Sequence, residues 1–136
     1  MKNSLKTILV AGIAVLIVSL GLLYSFGYLL PSLMEEYYEP VFRSNSFSTD
    51  WLFYIHPFVL SSAIYWFWER SQASFEGSSL TKAMKVAFMY GLVALLPVLW
   101  LTFSAVNISA MMVITWVGFG IIQAFAAAII FARRSA

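Results

Sequence analysis

Long apolar stretches separated by short polar segments run through the whole chain. Four such stretches occupy residues 8–30, 51–68, 86–103 and 110–132. As helices at about 1.5 Å per residue, each reaches roughly 27–35 Å, which matches the hydrocarbon core of a bilayer. None of them alternates with the period of two that membrane β-barrel strands require. The pattern therefore predicts an all-α integral membrane protein with four transmembrane helices.

The basic residues predict how these helices are oriented. Of the eight Lys and Arg residues, all except Arg43 fall on one side of the predicted membrane: Lys2, Lys6, Arg70, Lys82, Lys85, Arg133 and Arg134. The positive-inside rule assigns that side to the cytoplasm. An even number of crossings also requires both termini on one side. We therefore predict an up-down-up-down bundle with cytoplasmic termini, a cytoplasmic connection at 71–79 and an outer loop at 31–50.

Composition agrees with a membrane location and removes several classes of function. The chain is 62% hydrophobic and only 10% charged, whereas a soluble domain carries about 25% charged residues. The net charge of +2 follows from the loops, so no nucleic-acid partner is predicted. The chain has no cysteine, which excludes disulfides, thiolate metal sites and covalent haem attachment. No cofactor is predicted, and the expected location is a multi-pass position in a cell membrane, with a bacterial inner membrane favoured.

The connections predict a single domain spanning residues 1–136. The segment from Ser104 to Ser109 is short enough to make the last two helices an antiparallel hairpin. The four helices are expected at about 8–30, 51–68, 80–103 and 109–132. The first is interpreted as a retained anchor, because its apolar stretch exceeds the 7–15 residues typical of a signal peptide and no small-x-small cleavage pattern follows it.

Small residues at helical spacing mark the predicted packing faces. Gly120, Ala124 and Ala128 follow one another at intervals of four, and Gly21 with Ser25 repeats the interval on the first helix. Such residues let helix backbones approach closely in lipid. Two interpretations are open: packing inside the bundle, or contact with a second copy in a homo-oligomer or with another subunit of a larger membrane complex. Membrane lipids are the remaining expected partners.

Polar residues inside the predicted membrane layer are few, and none is a carboxylate or a fixed cation. Ion-coupled carriers generally place such a group near the midplane. The one imidazole, His56, lies about 8 Å along the helix from Trp51, at about 1.5 Å per residue. Residues at a similar depth on the other helices complete a candidate ligand pocket: Tyr24, Ser25, Trp100 and Thr115. The alternative interpretation is that His56 only bonds a neighbouring group and fixes packing.

A divalent metal site is the weaker hypothesis for the acidic outer loop. Glu35 and Glu39 are one helical turn apart, and Asp50 and His56 follow. Carboxylates with an imidazole can bind divalent ions. Pro40 interrupts the helix, however, and acidic outer loops are ordinarily solvated surface. We therefore predict no metal ion.

These observations favour a non-enzymatic membrane protein, because no nucleophile, base and orienting group occur in a recognised arrangement. Such a protein would act through helix packing, as an oligomer or as an accessory subunit. The alternative is a facilitator or binding protein for a small neutral or lipophilic solute, with His56 anchoring its pocket.

Overall fold

The computed structural model describes residues 2–42 and 47–135, and for residues 2, 3 and 47–49 it describes the backbone only. Within these ranges every regular element is helical, which confirms the all-α prediction. The elements are α1 (Lys2–Leu29), α2 (Pro31–Glu36), α3 (Phe47–Ser71), α4 (Ser79–Tyr90), α5 (Leu96–Ala105) and α6 (Ala110–Arg134). Arg43, the exception in the charge pattern, lies outside the described residues.

Three helical segments are long and apolar enough to cross a membrane: Ser4–Leu29, Ser79–Ala105 and Ala110–Arg134. This finding is compatible with a multi-pass membrane protein. Helix α3 has the length but not the hydropathy, because its apolar stretch carries tryptophan, tyrosine, serine and the His56–Pro57 pair. The fourth crossing therefore stays a prediction.

The helices extend beyond the predicted apolar stretches at several ends. Helix α3 begins before residue 51 and ends after residue 68, and α1 already includes Lys2. Hydropathy detects only the part of a helix that suits lipid, whereas backbone hydrogen bonding continues through flanking polar residues. Ser78 and Ser109 act as N-caps of α4 and α6, since their hydroxyls accept the backbone N–H of Thr81 and Met112 at 3.3 Å and 3.1 Å.

A short π-helical segment, Gly91–Leu95, joins α4 to α5. The Leu96 N–H bonds the carbonyl of Gly91, five residues back, and the following Pro97 has no N–H to donate. Proline removes the ordinary hydrogen bond to the carbonyl four residues earlier, which explains a π segment at this position. Pro57 has no such effect, and α3 continues through it.

Side-chain contacts give the relative directions of the long helices. Thr7 of α1 accepts a hydrogen bond from Arg134 of α6, and Ser19 accepts one from Gln123 at 2.9 Å. Since rising numbers on α1 meet falling numbers on α6, these two helices are antiparallel. On α3, Trp68 donates its Nε1–H to Ser135, just beyond α6, at 3.1 Å. We call this end of the molecule, which also carries Lys6 and Lys82, the basic end.

The core lies in the part of the molecule nearest the basic end, which we call the packed half. Its buried members come from α1, α3, α4 and α6: Ala11, Val15, Leu60, Ile64, Trp68, Ala83, Val86, Ala87, Ala124, Ala127, Ala128, Phe131 and Ala132. Toward the opposite end the packing loosens on α3 and α5, whereas Phe26, Leu33 and Met112 of other helices are buried there. Helix α5 has no buried residue, and residues 51–56 of α3 are all exposed. We call residues 51–56 and 96–105 the open half.

Candidate functional site

Four of the five residues of the predicted pocket are exposed. His56 and Ser25 are exposed, Tyr24 and Trp100 are 77% and 72% exposed, and the Thr115 hydroxyl donates to the Met111 carbonyl of its own helix. Within the described residues, no hydrogen bond or ring contact joins any two of them, and Trp100 lines a cleft between α5 and α6 without the other four. The five residues share a predicted depth in the membrane, but no described contact brings their side chains together. The ligand pocket therefore stays a prediction.

Residues at the same depth can face different directions because each helix has its own rotation about its axis. On α3 the inward face is formed by Pro57, Leu60, Ile64 and Trp68, and His56 lies about 100° around the helix from Pro57. Depth along a helix can be counted from the sequence. Rotation about the helix axis follows from which face meets the core, and that depends on the neighbouring helices.

The acidic residues considered for a metal site do not form a metal-binding cluster in the described part of the chain. Among the described residues, no group of three or more His, Cys, Asp or Glu side chains could hold a metal ion. Glu35, Glu39, Asp50 and His56 are all exposed. Glu36, their neighbour, instead binds protein: its Oε2 accepts the backbone N–H of Ser109 at 3.2 Å.

The small residues of α6 pack inside the chain. Gly120, Ala124 and Ala128 are buried, and a Cβ added at Gly120 would lie 2.5 Å from Cδ1 of Leu95, in the π segment. The approach is close from both sides, because a Cβ at Gly91 would lie 2.8 Å from Cγ1 of Ile121. The other predicted packing residues, Gly21 and Ser25, are exposed. Nothing lies within 4 Å of a Cβ built at Gly21.

A polar contact links α1 and α6 inside the apolar layer. The Gln123 amide donates to the Ser19 hydroxyl, which in turn donates to the Val15 carbonyl at 2.7 Å. Ser61, buried on α3, has no partner for its hydroxyl in the described structure. Its isolation in a close-packed region identifies no ligand.

The segment after α1 closes over the end of α6 that is opposite the basic end. Trp116 donates its Nε1–H to the Tyr37 hydroxyl at 2.5 Å, and the ring of Phe42 contacts both Tyr37 and Trp116. Leu33, in α2 of the same segment, is buried. The sequence does not reveal this contact, because Trp116 lies on a helix that is distant from Tyr37 in sequence.

Tyr37 should make this closure sensitive to high pH. Burial raises the pKa of Tyr37, and the Glu36 carboxylate adds to the rise while the Trp116 hydrogen bond opposes it. The neutral Tyr37 phenol therefore contributes its full stabilisation at pH values below about 10, the pKa of tyrosine in the unfolded chain. This stabilisation is lost as the pH rises through the higher pKa of Tyr37 in the folded protein. We expect Tyr37→Phe to reduce the alkaline change in tryptophan fluorescence. Tyr38→Phe, at a 78% exposed position, is the control and should leave that change intact.

Two clefts open at the basic end. One, of about 490 Å³, lies between α1, α3 and α6 and is lined by Ser4, Lys6, Thr7, Tyr65, Trp68, Glu69, Phe131, Arg134 and Ser135. The other, of about 650 Å³, adjoins it through Trp68, Glu69 and Ser135 and reaches Lys82. The sequence predicts from Lys6, Lys82 and Arg134 only the orientation of the helices. Together with Glu69 these residues occur near the ends of four helices, which is the sequence signal for a site. The tertiary structure brings them to the two clefts.

The open half has one smaller apolar cleft between α5 and α6. It measures about 160 Å³ and is lined by Leu96, Leu99, Trp100, Phe103, Ala110, Val113, Ile114 and Val117. His56 does not line it, and neither does any carboxylate or cation.

Comparison with known proteins gives no further assignment. No family model matches the chain, and no curated protein and no solved structure matches it.

Proposed function

We propose that all four long helices cross the membrane. The path of the chain between α1 and α4 supports this proposal. Helix α1 starts at the basic end and so does α4, whose Ser79 hydroxyl donates to the carbonyl of Ala132 near the end of α6. The chain leaves α1 at the opposite end and must come back before α4 begins. Helix α3, with 25 residues, is the segment available for that return. The clustering of Lys6, Lys82 and Arg134 at the basic end supports a cytoplasmic position for this end.

We further propose that the protein is non-enzymatic and acts through helix packing with another chain in a cell membrane. The exposure of His56 is the observation that supports this proposal most. It is exposed on a helix that, in this proposal, lies in lipid. An unsatisfied polar group in hydrocarbon costs several kcal/mol. A protein partner can satisfy the imidazole, whereas lipid tails cannot.

A second copy of this chain is the partner that His56 fits best. A neutral imidazole carries one donor and one acceptor nitrogen. A two-fold contact pairs the same surface patch with itself, so the two His56 rings can hydrogen-bond to each other. The open half supplies the remaining area, since α5 exposes Trp100, Leu101 and Val98. An accessory role in a larger complex is the other form of the same proposal.

The particle mass tests this proposal. Purified in a mild detergent, the protein is expected to run as a dimer by light scattering and native mass spectrometry. His56→Leu should weaken that dimer by about 1 kcal/mol, or about fivefold, which is typical of one hydrogen bond between membrane helices. Ser62→Ala is the matched control. Ser62 is also exposed on α3, but its hydroxyl already donates to the Phe58 carbonyl.

The composition of the purified particle distinguishes a homodimer from an accessory subunit. A stoichiometric second protein in place of the second copy identifies an accessory subunit. A monomer that brings no other protein from native membranes contradicts the proposal.

The alternative function is a facilitator or binding protein for a small neutral or lipophilic solute. The cleft beside Trp100 is the feature in its favour. Its test is solute uptake into liposomes by wild type and His56→Gln at pH 5.5 and 7.5. Uptake that is lost in a variant of unchanged stability supports it, and absence of uptake in the wild type rejects it.

A further inference from the structure

We infer that the cleft between α1, α3 and α6 binds the headgroup of an aminophospholipid. In this assignment Lys6 and Arg134 hold the phosphate, and Glu69 holds the ammonium. The inference rests on the chain spanning a membrane and is independent of the proposed dimer, because lipid bound per chain is measured separately from particle mass.

The depth of the cleft matches a lipid headgroup. The apolar segment of α1 begins at Ser4 and that of α6 ends at Arg134, and both residues line the cleft. Residues at the ends of apolar spans lie where the hydrocarbon meets the headgroups. The cleft also has an apolar wall, because the rings of Tyr65 and Phe131 pack edge to face with centroids 5.3 Å apart. An acyl chain can follow that wall toward the membrane interior.

The cationic side of the cleft suits a phosphate. Lys6 comes from α1 and Arg134 from α6, so the two charges are held by different helices. The Arg134 guanidinium donates to the Thr7 hydroxyl, which orients it and leaves other donors of its fork available. Arginine and lysine on neighbouring helices, at headgroup depth, are the groups that bind lipid phosphates.

Glu69 distinguishes an aminophospholipid from a purely anionic one. It lines both clefts of the basic end, and within the described residues it forms no ion pair. Its sequence neighbour Arg70 is turned to the Trp66 ring, 4.0 Å from the ring centroid. A carboxylate beside a phosphate site disfavours a ligand that carries only negative charge. It favours one that adds a primary ammonium a few atoms from the phosphate, as phosphatidylethanolamine does.

The experiment is a lipid titration of the detergent-purified full chain, followed by native mass spectrometry. Phosphatidylethanolamine and phosphatidylglycerol are compared. Lys6→Gln and Arg134→Gln are each expected to weaken both lipids about tenfold, as loss of a charged hydrogen bond does. Arg70→Gln and Lys85→Gln are the matched controls. They remove the same charge near the basic end, but Arg70 lies on Trp66 and Lys85 donates to the Glu76 carbonyl. If the controls weaken binding equally, the attraction is general and the site is rejected.

Glu69→Gln tests the ammonium. It should reduce the preference for phosphatidylethanolamine over phosphatidylglycerol about tenfold, and an unchanged preference overturns the assignment. Glycerophosphoethanolamine, the soluble headgroup without acyl chains, separates a lipid from a free phosphate compound. We expect it to bind far more weakly than the whole lipid. Binding of equal strength would overturn the lipid as the ligand. Thermal midpoints of all variants are measured in parallel, so that unfolding is not mistaken for lost binding.

Discussion

Ala124→Leu is expected to lower the free energy of unfolding by about 1–3 kcal/mol, the range for added carbons in a close-packed core. Ala124 is fully buried, on the face of α6 that also carries the buried Gly120 and Ala128. The larger side chain has no space there unless a neighbouring helix moves. The measurement is the thermal midpoint in detergent, followed by tryptophan fluorescence.

Gly21→Leu is the control for that substitution. It introduces the same side chain on another apolar helix, at a position where a Cβ meets nothing within 4 Å. Replacing an exposed helical glycine should raise stability slightly, by about 0.5–1 kcal/mol. Equal midpoints for Ala124→Leu and wild type would contradict the close packing of α6. A large loss in Gly21→Leu would instead show that a partner covers α1.

A cysteine at Tyr38 is expected to react with a membrane-impermeant maleimide in intact cells, and a cysteine at Ser78 is not. Each is introduced alone, since the chain has no cysteine of its own. Both positions are exposed, so folding does not protect them. The difference should be nearly all or none, because only the bilayer separates reagent from thiol. Both should label after the cells are permeabilised.

The same pair tests whether α3 crosses the membrane. Tyr38 precedes α3 and Ser78 follows it. If α3 lay along the surface, the two cysteines would behave alike in intact cells. If α3 crosses in the reverse direction, Ser78 labels and Tyr38 does not. Either result would overturn the proposed topology.

The candidate pocket shows how far sequence reasoning about a membrane site can go. His56, Trp100 and Tyr24 share a predicted depth, and depth follows from helical rise alone. The direction of each side chain does not follow from depth, because each helix turns toward the core the face that its neighbours can pack against. On α1 that face is Ala11, Val15, Ser19 and Phe26, and Tyr24 points elsewhere.

The helical class follows from the amino-acid sequence, and so do three of the four predicted crossings and the concentration of positive charge beside the helix ends. These properties follow from local hydrogen bonding and from residue transfer between water and lipid, so neighbours in sequence suffice. The tertiary fold is needed to establish which part of the molecule packs most closely and to bring Lys6, Glu69 and Arg134 to one cleft. These residues belong to three helices far apart in the chain. Their convergence results from the packing of α1, α3 and α6 against one another, and no local pattern encodes it.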